Sequence, residues 1–256
     1  MVRAKFSART ALALALALGV ATGGFSAPAL AKEKKPEAPK IQPSKAFIPV
    51  YVAANKAIEE AAKRQDVIAA RAAVSEAETA YRSAQGKKAR DEARARYDAA
   101  VTALGALFTA EKEAVEKAFA AATIADDNFF AGKLALELGQ LSHDKKLQRR
   151  GLQAMVDSGK MAAAENAKFN YYIGGLAYDL RDYAGARTAL QAAIAGGYTE
   201  GDPEGLLADA YFNDNQPMEG LKVLDAAATA KGASASEDML RKGVINGYKA
   251  KSTEYA

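Results

Sequence analysis

The sequence predicts an all-α protein in which antiparallel helical hairpins stack into an α-solenoid, and three observations predict it. Between Pro49 and Pro203 the chain contains no proline and is rich in alanine. Alanine has the highest intrinsic helix propensity, and no run of alternating β-branched residues is long enough to compete for a strand. Glycines punctuate the second half: Gly159, the pair Gly196–Gly197 and Gly232 each follow a helical stripe, where a left-handed cap favours glycine. One pattern also occurs twice, since Gly175, Tyr178, Tyr183, Ala186, Leu190 and Ala193 recur as Ala208, Tyr211, Pro217, Gly220, Leu224 and Ala227. A lone hairpin of this kind cannot bury its own apolar face, so several must pile up to make a core.

Residues 1–31 have the layout of a secretory signal peptide. Arg3, Lys5 and Arg9 precede an apolar run from Ala11 to Ala21, and Ala29 and Ala31 supply a small-residue cleavage site. The run is shorter than the roughly 20 residues a spanning helix needs. Cleavage rather than a retained anchor is therefore expected, with export to the periplasm of a Gram-negative cell. Residues 32–44 interleave Pro36, Pro39 and Pro43 with lysine and glutamate, a composition that predicts an extended mobile tail.

Residues 45–122 are expected to hold a helical hairpin, Tyr51–Arg64 with Asp66–Ala84, followed by one long helix at 89–122, with a split into two at Gly105 and Thr109 as the alternative. Val67, Ala70, Val74 and Ala77 make the buried stripe of the hairpin. Tyr97, Val101, Leu104, Phe108, Val115 and Ala122 form a heptad-like seam along the long helix. That seam suits either a projecting coiled-coil contact or, as favoured here, packing on neighbouring repeat helices. Residues 123–256 then read as hairpins: Asp127–Leu141 with Asp144–Asp157, Ala164–Leu180 with Tyr183–Ala195, and Pro203–Phe212 with Met218–Ala230. Asp202 before Pro203 is a start signal, Ser234 with Glu237 has the spacing of a capping box, and a last helix at Glu237–Lys251 would close the stack.

Charge and residue usage exclude several functions. There are 35 Lys plus Arg against 31 Asp plus Glu, and three of the bases lie in the leader, so the remainder is nearly balanced and gives no support for nucleic-acid binding. Cysteine is absent and histidine occurs once. Disulfides, thiol catalysis, sulfur-ligated metals and lipid attachment through cysteine are excluded, and a zinc site lacks its usual ligands. Ser142, His143 and Asp144 are adjacent, whereas a catalytic triad converges from separate segments. Ser142 is expected to cap the following helix, and His143 to be exposed. Asp126 and Asp127 suit a helix start by complementing its dipole, and Asn213–Asn215 suits a turn. No catalytic residue, metal ligand or cofactor motif is assigned.

The segments Gly175–Tyr178 and Asp182–Ala186, with the pattern that restarts at Leu207, resemble the tetratricopeptide repeat. The resemblance is specific over residues 164–232 and extends by period to about 126–251. It implies a non-catalytic adaptor whose first helices line a groove for a peptide or a partner's helix. Carried over position by position, it assigns the groove to Phe169, Tyr172 and Asp179 in one unit and to Asp209, Phe212 and Asn213 in the next. Two other readings remain open: a binder of a small glycan or peptidoglycan fragment, and a structural protein that self-associates through 89–122.

Overall fold

The computed structural model describes residues 41–234 and 236–250; the expected signal peptide lies outside them. Among these residues there are eleven α-helices and no strand. In chain order they are α1 (Ile48–Lys63), α2 (Gln65–Ser83), α3 (Lys87–Ala106), α4 (Thr109–Ala121), α5 (Ala125–Leu141), α6 (Lys145–Asp157), α7 (Ala163–Asp179), α8 (Tyr183–Ala195), α9 (Pro203–Asn213), α10 (Pro217–Lys231) and α11 (Glu237–Lys249), with a 3-10 turn at Gly232–Ser234 before the last. Among the described residues no helix is long and apolar enough to cross a membrane.

Adjacent helices pack as pairs. α5 lies on α6, α7 on α8 and α9 on α10, while α6–α7, α8–α9 and α10–α11 join one pair to the next. The small and aliphatic positions that recur in the sequence form this interior: Ala186, Leu190, Ala193 and Ala208 are fully buried, and Leu224 and Ala227 nearly so. The tightest crossing is between α5 and α6. A methyl group built on Gly151 would stand 2.5 Å from both the Gly132 carbonyl oxygen and the Leu136 backbone nitrogen, so glycine sets the closeness of these two helices.

Three of the turns are copies of one another. After α5, α7 and α9 a non-glycine residue, His143, Arg181 or Asn215, takes a left-handed φ of 55, 61 or 56°. The next N–H reaches back five residues in each case: Asp144 to the Gly139 carbonyl, Asp182 to that of Ala177 and Gln216 to that of Tyr211, all at 2.9 Å. These bonds satisfy helix-end carbonyls that otherwise have no partner. Asp144 and Asp182 then cap α6 and α8 by accepting backbone N–H bonds. An acid in each turn also meets a base from the preceding hairpin: Lys112 of α4 pairs with Asp144 at 2.9 Å, Arg149 of α6 with Asp182 at 2.7 Å, and Arg187 of α8 with Asp214.

The N-terminal part departs from expectation. α1 packs on α4 and α5, and α2 packs chiefly on α3. The Tyr51–Arg64/Asp66–Ala84 hairpin is therefore replaced by an α1–α4 pair with an α2–α3 arm inserted between its members. The 89–122 segment is two helices, as the alternative split between Gly105 and Thr109 expects: the chain turns at Leu107 and Phe108, and Phe108 leaves helical geometry at φ −113° and ψ 26°. The reason is how much apolar surface each helix carries. α2 buries only Val67 and Val74, a narrow seam that α3 largely covers, whereas α4 carries Val115 and Ala118 against α1 and α5; all of them, with Phe47, Ile58, Phe108 and Leu134, belong to one continuous core.

Arg64 closes the base of this arm. Its guanidinium donates to the Leu107 carbonyl at 2.5 Å and to buried Glu111 at 3.2 Å, and lies over the Phe108 ring. The chain before α1 is also held. The carboxylate of Asp127, with no exposed surface, accepts from the Ser44 N–H at 2.7 Å and hydroxyl at 2.9 Å, and Asp126 accepts from the Gln42 N–H at 2.8 Å. Residues 42–44 thus belong to the folded body, not to the mobile tail expected through Ser44. Two caps also move. Ser142 donates to the Leu138 carbonyl at 2.7 Å and caps nothing, and α11 is capped by Ser236, not Ser234.

Two predictions follow from these contacts. Gly151→Ala is expected to lower stability by about 1–3 kcal/mol through backbone overlap. Gly105→Ala, which meets nothing within 4 Å, gains up to about 1 kcal/mol from helix propensity; urea denaturation of the two variants measures both. Acid is expected to loosen the turns. Burial pushes the Asp144 carboxyl up, but Lys112 and the N–H groups of Leu147 and Lys146 outweigh it, and the Gly185 N–H and Arg149 hold Asp182 low. Groups depressed on folding stabilise above their ordinary pKa of about 4 and lose that contribution as pH falls through the folded value. The melting temperature should therefore drop below about pH 4, and less steeply in Asp144→Asn/Asp182→Asn, where Asn still caps.

Candidate functional site

The six residues assigned to a groove separate into core and surface. Phe169 is core: it is buried against Leu136, Leu152, Met155 and Ile173, between α5, α6 and α7. The groove assignment fails for it because its position on α7 turns toward the preceding hairpin. Phe212 is half-buried and packs with Ala208, Leu224, Ala227 and Met239, and its ring occupies the space above Gly220 that any side chain there would need. Its surroundings are those of a core side chain between α9, α10 and α11.

The other four lie on accessible surface. Tyr172 is half-buried, its ring 5.7 Å from that of Tyr171 with the Lys168 ammonium 5.9 Å above it. Tyr198, in the turn after α8, completes this cluster with its ring 4.9 Å from Tyr171. Burial pushes the Tyr198 phenol up to about 12, helped by Tyr172 and Glu200. Asp179 at the end of α7 pairs with Lys145 at 2.7 Å, and Asp209 of α9 pairs with Lys242 of α11 at 2.7 Å. Asn213 donates to the Tyr178 hydroxyl at 2.9 Å and to the Asp209 carbonyl at 2.8 Å.

These contacts join Tyr178 and Asp179 at the end of α7 to Asp209 and Asn213 of α9, and Asp209 to Lys242 in the middle of α11. Tyr178 is the residue that position-by-position reading missed, because its interior-like spacing matches a half-buried ring. Burial, then the Asp209 carboxylate and Tyr183, push its phenol up to about 12, against the lowering effect of Asn213. The phenol is therefore neutral at physiological pH. Because its oxygen accepts from Asn213, its own proton can be donated outward. The row combines one phenol donor, one amide and two ion pairs, which is hydrogen-bonding chemistry suited to recognition.

His143 is half-buried rather than exposed, and burial lowers its pKa despite the neighbouring Glu78 carboxylate. It is the left-handed residue of the α5–α6 turn. Ser142 and Asp144 point into separate contacts, with Leu138 on one side and Lys112 on the other. Among the described residues no three His, Asp or Glu side chains are grouped to hold a metal ion. Comparison with protein-family models, curated proteins and solved structures finds no match.

Truncation separates the two aromatics. Phe212→Ala is expected to cost about 2–4 kcal/mol, because it removes a ring packed between three helices. Tyr172→Ala, at a half-exposed site, is expected to cost about 1 kcal/mol or less. Chemical denaturation of each variant measures the difference; equal costs would show that Tyr172 is core as well.

Proposed function

We propose that the protein is a non-catalytic interaction scaffold, an α-solenoid of tetratricopeptide type that holds a segment of a partner protein. The observation that carries this reading is the order of packing: from α4 onward each helix packs on its chain neighbours, and the same turn recurs after α5, α7 and α9. Stacks built this way present an extended face made by the first helix of each hairpin, which suits a linear ligand. In this chain that face is the row from Tyr172 and Asp179 to Asn213, Asp209 and Lys242. A peptide or helix with its own polar groups can accept the Tyr178 proton and exchange partners with the Lys145–Asp179 and Asp209–Lys242 pairs. The leader-like pattern at 1–31 supports export, so the partner is sought in a cell-envelope extract.

A photo-crosslinking residue placed at Tyr172 tests the reading against the same residue placed at the exposed Ala226 of α10. A protein adduct formed from 172 and not from 226, and lost in Tyr178→Phe/Asn213→Ala, is the expected result. Indistinguishable adducts from both sites, or thermal stabilisation by a small glycan with no protein adduct, would overturn it.

A further inference from the structure

α11 is packed on one side only. Its inner side is packed, with Met239 and Gly247 buried and Lys242 reaching the Asp209 carboxylate and the Gly205 carbonyl. Its outer side carries Leu240, Val244, Ile245 and Tyr248, exposed to 50, 59, 45 and 78%. Leu240, Val244 and Tyr248 are four apart, so they align as one stripe along the helix. Of the ten large apolar side chains exposed among the described residues, four sit on these 13 residues. A contiguous exposed apolar stripe of this kind marks an interaction surface.

We infer that α11 is a dimerisation helix, and that a second copy of this chain covers its stripe through an antiparallel α11–α11 contact about a two-fold axis at Val244. The charges of the helix select this occupant. Its first turn carries Glu237 and Asp238, and its last turn carries Lys249. Turned end over end on itself, α11 sets the acidic turn of one copy beside the basic turn of the other, twice, while Leu240 meets Tyr248 and Val244 meets Val244. A parallel pairing would place like charges together. A two-fold contact needs a patch complementary to itself, and this helix is one. The apolar stripe supplies the attraction, because exposed ion pairs contribute little; the charges fix direction and partner. This surface is remote in sequence from 89–122, where self-association was the alternative expectation, and it leaves the α7–α9 row open.

Sedimentation of the purified protein over a rising concentration series tests the inference. A reversible dimer is expected, and Val244→Glu should weaken it by at least roughly tenfold in Kd while circular dichroism shows unchanged helix content. The decisive arm uses charge reversal. Asp238→Lys alone and Lys249→Glu alone should each dimerise more weakly than the unaltered chain, and their equimolar mixture should recover the lost affinity, because only the mixed antiparallel pair restores both acid–base contacts. A monomer at every concentration, or a dimer indifferent to Val244→Glu and to both reversals, overturns the inference.

Discussion

The backbone reversal after α5, α7 and α9, held by a bond back across five residues and by one residue in the left-handed region, determines where each following helix can lie. It is demanding, because His143, Arg181 and Asn215 carry side chains in a conformation that favours glycine. The surrounding contacts offset that cost. The acid in each turn is met by a base of the preceding hairpin, and Asp144 and Asp182 also cap the next helix. One short segment thus ends a helix, starts another and ties two hairpins together. The single histidine of the chain acquires its place from this geometry and not from chemistry.

The α2–α3 arm follows a different rule. Its helices share one narrow seam, and Val67, Val74 and Leu104 of that seam continue into the core cluster of Phe47, Ile58 and Phe108. The main body closes around the arm's base, joining α1 to α4, and Arg64 occupies the point where both chain crossings meet. Glu111 is buried there against Arg64. Removing Arg64 leaves the buried Glu111 carboxylate without its cation, a larger penalty than the pair's own contribution, whereas Arg64 without Glu111 keeps solvent contact and Asp66.

The candidate site shows why surface residues are harder to read than core ones. Asp179, Asp209 and Asn213 were expected on the first helices of two units; in the structure Asp179 and Asn213 are exposed and Asp209 is half-buried against Lys242. Phe169 was misread because the side of α7 that meets the previous hairpin is distinguished from its open side only by helix crossing geometry. Tyr178 was passed over because a half-buried ring obeys the same periodicity as a buried one. Periodicity records that a side chain faces something apolar; it does not record whether a neighbour covers it fully.

The sequence by itself determined the helices, their capping glycines and the repeated interior of the second half, because propensity, left-handed caps and apolar spacing are local properties. Gly159, Gly197 and Gly232 all take positive φ, and Asp202 caps α9 before Pro203, as their neighbours in the chain imply. Tertiary structure decided which helix pairs with which. That α1 meets α4 across an inserted arm, that Asp127 holds Ser44 from 83 residues away, and that α11 turns its apolar stripe outward all depend on contacts between distant segments. Such pairings depend on how much surface remains to be buried once neighbouring helices have packed, a quantity no window of sequence contains.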